Sequence, residues 1–254
     1  MRANKIYDLS IPIEVTPSES IAIKVTHQDH KELAQALADF LGCHIEDFPG
    51  ELGFANDEVQ MNAHTGTHID APWHYFPTSE GKRAKTIDEI PLEWFISSGV
   101  ILDMRHMPDG ALITVQDLKE ALKKIDYSIK QNDIVYIHTG ADKHWGTKEY
   151  FDKGAGMGYE STMWLIEQGC RVMGIDAWGW DRPFWAIREE FEQTGNREIL
   201  WAAHRVGRDK EYFHIEKLAN LDTLPMPYGF TTCCFPVKLK GGSAGWCRVV
   251  AWYD

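Results

Sequence analysis

The sequence predicts an α/β fold built on a mixed sheet, and three observations carry that prediction. Between residues 100 and 176, apolar β-branched runs alternate with helix-length amphipathic segments, the pattern of strand–helix–strand units with some parallel pairing. From Phe230 onward the chain returns to strands alone. Between them in importance stands the stretch His64-Thr65-Gly66-Thr67-His68-Ile69-Asp70-Ala71-Pro72-Trp73-His74. Its three histidines and aspartate fall at even positions, the period at which side chains share one face of a strand.

Taken in order, Ile6, Leu9, Ile11 and Ile13 around Pro12 read as a strand and its continuation over 5–15. A turn at Pro17 and Ser18 follows, then a second strand over Ile21–Val25. Asp29 is placed to cap a helix from about His30 to Leu41, with Leu33, Leu37, Phe40 and Leu41 as its apolar stripe and Gly42 as its stop. The 64–74 stretch reads as a strand bent at Gly66 and Pro72, because both residues and the β-branched Thr65, Thr67 and Ile69 disfavour a helix. A polar loop spans 78–83, and 87–96 holds Pro91 and Trp94. Val100–Met104 is a buried strand. Thr114 starts a helix with Asp117 in the capping-box position and Leu118, Ala121, Leu122 and Ile125 inward. Strands over Asp133–Ile137 and Arg171–Asp176 flank a helix from Tyr159 to Gln168 closed by Gly169. Phe230–Leu239 and Cys247–Tyr253 are the last strands. No repeat or linker interrupts the chain, so a single domain over 1–254 is expected, with 27–60 an elaboration that covers the site, meets a second subunit or decorates the surface.

Composition narrows the function. The chain has 254 residues, enough for a sizeable core, and 44% hydrophobic content, which argues against disorder. Its net charge of −12 without a basic stripe argues against nucleic acid or an anionic membrane as partner. Five cysteines with no C-x-x-C pair suit no disulfide framework, and the adjacent Cys233 and Cys234 are expected to be reduced. The N-terminus lacks an apolar signal region and no run approaches a membrane span, so a cytoplasmic protein is expected. The ten tryptophans and nine tyrosines suggest aromatics hidden between subunits of a homodimer or homotetramer.

Imidazole and carboxylate groups on one face form a ligand set for zinc or manganese. Leaving four such groups buried and unpaired costs several kcal/mol, which favours a metal over a structural explanation. The helical zinc motif is absent, because Thr65 stands where that motif has Glu. Distal ligands have to come from His204, His214 or Glu216; the residues alone leave the choice between the histidines open, and Glu216 reads equally as an exposed helix residue. His27, His30, His44, His106 and His214 are otherwise expected at the surface, while His138 and His144 flank a Thr139-Gly140 loop able to face the site. No nucleophile elbow or phosphate loop is present, and Gly154, Gly156 and Gly158 read as a turn. Trp178, Trp180, Phe184 and Trp185 follow a strand end, where they either wall a pocket for a flat ring or pack a core or interface. Arg182 among them is a candidate for a substrate carboxylate.

The 64–74 stretch resembles the signature of the cyclase family of metal-dependent hydrolases, which includes bacterial kynurenine formamidases and isatin hydrolases. Val100-Ile101-Leu102-Asp103, Thr139-Gly140, Gly174-Ile175-Asp176, His204 with Glu216, and Arg248-Val249-Val250-Ala251 continue the resemblance in order. It implies a mixed sheet partly curled into a barrel-like half with outer helices. It implies that His64, His68 and Asp70 bind the metal, that His204 and Glu216 complete the site, and that one or two ions are held, Asp70 and Glu216 bridging where there are two. It places His74 as the acid/base, which chemistry supports, since a histidine whose lone pair is committed to a metal cannot shuttle protons. The implied activity is hydrolysis of an amide, cyclic amide or lactone. Kynurenine formamidase-like members present an aromatic residue from their N-terminal segment, and Ile11–Pro17 has none here. The expected substrate is therefore a neutral or weakly acidic small molecule with a ring, held against Trp73 or the aromatics Trp178, Trp180, Phe184 and Trp185. An arylformamidase, or a non-catalytic metal- or ligand-binding protein on the same fold, are the alternatives; an uncommitted His74 argues against the latter.

Overall fold

The computed structural model describes residues 5–253. Its elements in chain order are β1 (Ile6–Asp8), β2 (Lys24–Gln28), α1 (Ala34–Leu41), β3 (Asn56–Gln60), β4 (His68–Asp70), α2 (Pro72–Tyr75), β5 (Thr78–Ser79), β6 (Lys82–Arg83) and β7 (Ile96–Asp103). Then come β8 (Leu112–Ile113), α3 (Val115–Lys124), β9 (Ile134–His138), β10 (Gly156–Met157), α4 (Tyr159–Glu167), β11 (Val172–Ile175), α5 (Phe184–Thr194) and α6 (Ala202–Asp209). The chain closes with β12 (Phe213–Glu216), β13 (Tyr228–Cys233), β14 (Ala244–Trp246) and β15 (Val250–Trp252). Two compact units result. Of the described residues, the smaller comprises 14–16 and 21–62, and the larger holds 5–13, 17–20 and 63–253.

The larger unit contains a nine-stranded mixed sheet in the order β1-β15-β13-β7-β9-β11-β12-β4-β14. Strands β7, β9, β11 and β12 are parallel, as the alternating segments predict; the remaining neighbours are antiparallel. The sheet has to curl. β14 and β15 lie seven strands apart, roughly 34 Å across a flat sheet. The chain joins Trp246 to Val250 in four residue steps, which reach at most about 14 Å. The curl is visible in the hydrogen bonds: beyond β1, Ser10 bridges Leu218 and the Ile11 amide donates to Thr67 Oγ1 at 3.0 Å. The barrel-like half is therefore present.

Strand alternation divides the core accordingly. Ile101, Ile134, Tyr136, Ile69 and Ile215 point into the curl with Leu9, Phe230 and Ala251. Their neighbours Val100, Leu102, Val135, Ile137 and Met173 point outward under Leu118, Leu165, Ala203 and Val206 of the helices.

Most predicted elements occur, with several corrections. The α3 cap is as expected: Thr114 Oγ1 accepts the Asp117 amide, and Asp117 accepts the Thr114 amide at 2.8 Å. The first helix begins at Ala34, not His30. Asp29 instead organises the preceding turn, its Oδ1 accepting the amides of Lys31 and Glu32 at 2.9 and 3.0 Å. Gly42 ends that helix in the left-handed region, φ 68°. The second strand is Lys24–Gln28, displaced from Ile21–Val25 and paired with β3. The signature is not one long strand. Only His68–Asp70 is extended in the sheet; His64 lies in a turn, and Pro72 starts a short helix, where its missing N–H costs nothing. The expected strand over 230–239 is Tyr228–Cys233, and a separate strand forms at Ala244–Trp246. All five cysteines are free.

Candidate metal centre

The sheet brings the sequence-distant groups together. β4 lies against β12 in antiparallel register, with Asp70 opposite His214 and His68 opposite Glu216. Ile69 and Ile215 point into the curl, so His68, Asp70, His214 and Glu216 all face the helix side. α6 delivers His204 from above that face. α2, immediately after β4, delivers His74, and the turn before β4 delivers His64. α2 and α6 pack through Tyr75 and Gly207, where a Cβ would stand 2.1 Å from Tyr75 Cδ2, so only glycine fits.

The ring nitrogens converge on two carboxylates. His64 Nδ1 is 2.8 Å and His68 Nε2 is 3.2 Å from Asp70 Oδ1. His214 Nε2 is 3.3 Å from both Asp70 Oδ2 and Glu216 Oε1, and His204 Nε2 is 3.7 Å from each of the same oxygens. His68 Nε2 is also 3.5 Å from Glu216 Oε2, and His74 Nε2 is 3.5 Å from Asp70 Oδ2. His68, Asp70 and His214 are fully buried.

Outer contacts fix which nitrogen faces inward. His68 Nδ1 meets the Gly66 carbonyl at 2.8 Å, so it carries the proton and donates, leaving a lone pair on Nε2. His204 Nδ1 meets Asp181 Oδ2, and the Asp181 carboxylate also accepts the amides of Ala203 and His204 at 2.9 and 3.1 Å. His214 Nδ1 lies 3.1 Å from the Tyr75 hydroxyl, which itself donates to the Asp70 carbonyl at 3.1 Å. Carboxylate or carbonyl partners behind a ring are the usual supports of metal-binding histidines. A buried brace holds the His64 turn: Lys217 Nζ donates to the His64 carbonyl at 2.8 Å and to Glu19 at 2.7 Å, while Glu19 accepts the Gly66 amide at 2.7 Å.

The imidazoles around the two carboxylates hold both ionised. Burial raises the Asp70 carboxyl, but the surrounding histidines outweigh it and hold it well below the usual range. Burial and Asp70 push Glu216 up, and His214 and His68 bring it down to about 2. Burial opposes a charge on His204, yet its bond to Asp181 and the nearby Asp70 carboxylate push it up to about 10. His74 behaves oppositely: burial, with His204 and His64 adding to it, brings it down to about 4 against the pull of Asp70.

These residues fit a cation. His68 Nε2, His214 Nε2 and both Asp70 oxygens are buried without a hydrogen-bond partner, although carboxylates and imidazoles are strong hydrogen-bonding groups. Lone pairs aimed at lone pairs repel; a divalent ion between them satisfies every one. Two overlapping groups have the spacing of ligand sets, Asp70 with His204, His214 and Glu216, and Asp70 with His64 and His74.

The aromatic candidates scatter. Trp180 is fully buried; its Nε1 donates to Thr162 at 3.0 Å, its amide donates to Glu216 Oε1 at 2.9 Å, and its ring stacks on His214 at 5.5 Å. Trp178 and Phe184 cluster with Phe151, while Trp185 donates to the Asp152 carbonyl. Trp73 is 42% exposed beside His74. Arg182 pairs with Glu190 and lines, with Arg205 and Arg208, a cavity of about 460 Å³ that none of the centre's histidines borders. Sequence reasoning missed Trp201, whose ring lies 6.0 Å from His74 and 4.7 Å from His204, and it missed Asp181 and Tyr75. Asp181, two residues before Pro183 in an aromatic run, carried no spacing signal. His214 is corrected from a surface residue to a buried member of the centre, and Glu216 from a surface helix to a buried strand.

Comparisons with known proteins show the family and the fold. Residues 7–182 match the family described as putative cyclase. An isatin hydrolase from Roseibium aggregatum is 24% identical over 200 residues, 78% of this chain and 74% of that protein. A kynurenine formamidase from Erythrobacter litoralis is 24% identical over 192 residues, 76% of this chain and 74% of that protein. The structure of isatin hydrolase A from Ralstonia solanacearum superposes with a TM-score of 0.75 at 21% identity, over 98% of this chain and 92% of that one. With the match covering well over half of its length, the chain belongs to the putative cyclase family.

Proposed function

We propose that this protein is a metal-dependent hydrolase of carbon–nitrogen or ester bonds, cleaving an amide, cyclic amide or lactone in a small molecule that contains a ring. The observation that carries this reading is the buried convergence of imidazole lone pairs on Asp70 and Glu216, with His74 beside it neutral at pH 7. His64, His68, Asp70, His204 and Glu216 hold the ion, and His214 joins them. Imidazole with carboxylate suits zinc or manganese, one or two ions per chain. An ion held there would lower the pKa of a water beside it to about 7 and polarise a carbonyl. His74 takes the proton that the attacking water loses and returns it to the leaving nitrogen or oxygen as the carbonyl–heteroatom bond breaks. Trp201 and Trp73 flank His74 and offer faces for the substrate ring, a contact worth roughly 0.5–1.5 kcal/mol beyond burial. A pure binding site has no use for a neutral base at this position.

The test is a panel of formylated anilines including N-formylkynurenine, isatin-like cyclic amides, and lactones, assayed with added Mn²⁺ or Zn²⁺. Turnover of a cyclic compound is expected. N-formylkynurenine turned over far faster than every cyclic compound makes the protein an arylformamidase, and a panel that binds without hydrolysis sinks the enzyme reading.

Asp181 sets the His204 ring through three contacts. Asp181→Asn is expected to lower metal affinity or kcat/KM by roughly 10–100-fold, the usual effect of an outer partner. A Mn²⁺ titration and a kinetic assay check it; parent-like values in both contradict it. Assembly is expected to be a homodimer or homotetramer. Exposed Trp73, Trp201 and Phe235 supply apolar surface for such contacts. Light scattering that gives a monomer of 29.0 kDa at micromolar concentration overturns that expectation.

A further inference from the structure

A second set of buried ligand-type groups lies outside the centre just described. β9 and β11 run parallel with Ile137 opposite Ile175, so their next residues, His138 and Asp176, emerge side by side at the strand ends. The turn Ala141–His144 folds Asp142 back towards them. His138 is 3% exposed, Asp176 is fully buried and the Asp142 side chain is 4% exposed.

Most of the hydrogen-bonding capacity here is accounted for, and the remainder points one way. Asp176 Oδ1 accepts the Thr139 amide and hydroxyl, both at 2.7 Å, and Oδ2 accepts the Gly140 amide at 2.7 Å. Asp142 Oδ2 accepts the Asn220 amide at 3.0 Å. Asp142 Oδ1 and His138 Nε2 are buried with no hydrogen-bond partner. His138 Nε2 is 3.9 Å from Asp176 Oδ2, too long for a hydrogen bond. One ligand atom from each of the three residues lies within 4.8 Å of the others. Ligands about 2.1 Å from a common ion stand roughly 3–4 Å apart, so a small contraction closes the set.

The local charge supports the same occupant. The nearby cations are largely engaged: Arg105 grips Asp103 through two nitrogens, and Lys143 is shared, 2.9 Å from Asp222 and 3.6 Å from Asp142 Oδ2. Asp142 then shares one half-exposed ammonium with Asp222, and Asp176 has His138 at 3.9 Å as its nearest basic group, so a divalent cation adds charge that a neutral water does not.

We propose that His138, Asp142 and Asp176 form a second divalent-cation site, suited by its one imidazole and two carboxylates to Mn²⁺ or Zn²⁺. The ion ties the 141–144 turn to the ends of β9 and β11. Glu216 ends the next strand, β12, so this site and the principal centre occupy the same edge of the sheet without sharing a ligand.

The experiment uses the full chain and Mn²⁺ alone. Crystals grown with Mn²⁺ are expected to show an anomalous peak within bonding distance of His138 Nε2 and Asp142 Oδ1. Equilibrium dialysis is expected to give one ion per chain fewer in Asp142→Asn than in the parent. That variant keeps a side-chain oxygen for the Asn220 amide, and circular dichroism with a melting curve verifies its fold. His138→Gln is expected to lose the same ion. A peak at the Asp70 centre with only water between His138, Asp142 and Asp176 overturns the proposal, as does parent stoichiometry in both variants. Neither result bears on the principal centre, whose ligands are untouched.

Discussion

His68→Ala is expected to strip the protein of its principal metal and of its hydrolytic activity together. His68 is fully buried, its ring is held by the Gly66 carbonyl at 2.8 Å, and its Nε2 faces both Asp70 and Glu216. The loss should exceed the roughly 10–100-fold typical of removing an outer support. Alanine also leaves a cavity and two carboxylates with one fewer partner, so a fall in stability is expected alongside. His68→Gln, closer in size, separates the two effects. Elemental analysis of parent and variants, with circular dichroism to verify folding, is the measurement. Full metal occupancy in a folded His68→Ala protein would falsify the assignment.

His74→Ala should behave differently. His74 Nε2 is 3.5 Å from Asp70 Oδ2, and its ring lies 4.2 Å from that of His64, at the border of the ligand cluster rather than beneath it. It retains 24% side-chain exposure, whereas His68 has none. Burial, with His204 and His64 adding to it, keeps it neutral against the pull of Asp70, and the neutral ring is the form that accepts a proton. The variant is expected to keep most of its metal while kcat falls roughly 10²–10⁴-fold, the range for losing a general acid/base. Substrate KM should change far less. If metal and activity disappear in the same proportion, His74 is a ligand and another group moves the proton.

The two experiments probe opposite ends of one short segment, and that segment shows how far local reasoning reaches. The period-two spacing of His68 and Asp70 correctly placed them on one face of a strand, because a side chain two residues along has nowhere else to point. The same reasoning overextended the strand to His74. Pro72 is unfavourable within a helix but well suited to its first turn, so the chain folds back and His74 arrives from a helix. Its distance from Asp70 is a product of that reversal, not of strand periodicity.

By itself, the sequence determined the α/β class, the parallel core strands from 100 to 176, the capped helix after Thr114, and the imidazole and carboxylate groups that the signature offers. Each of these rests on hydrophobic periodicity, capping or side-chain type, which act over a few residues. The tertiary structure alone decided which distal groups meet the signature. His204 and His214 are equally plausible as isolated residues, and the sheet brings in both, one by strand pairing of β12 with β4 and one from α6. It also decided that Trp180 supports Glu216 from within the core while Trp201 stands beside His74. Asp181 behind His204, Tyr75 behind His214 and the Lys217–Glu19 brace behind His64 are contacts between segments up to 198 residues apart. Such partners leave no spacing in the sequence, because the distance between them is set by the curl of the sheet and not by the chain that joins them.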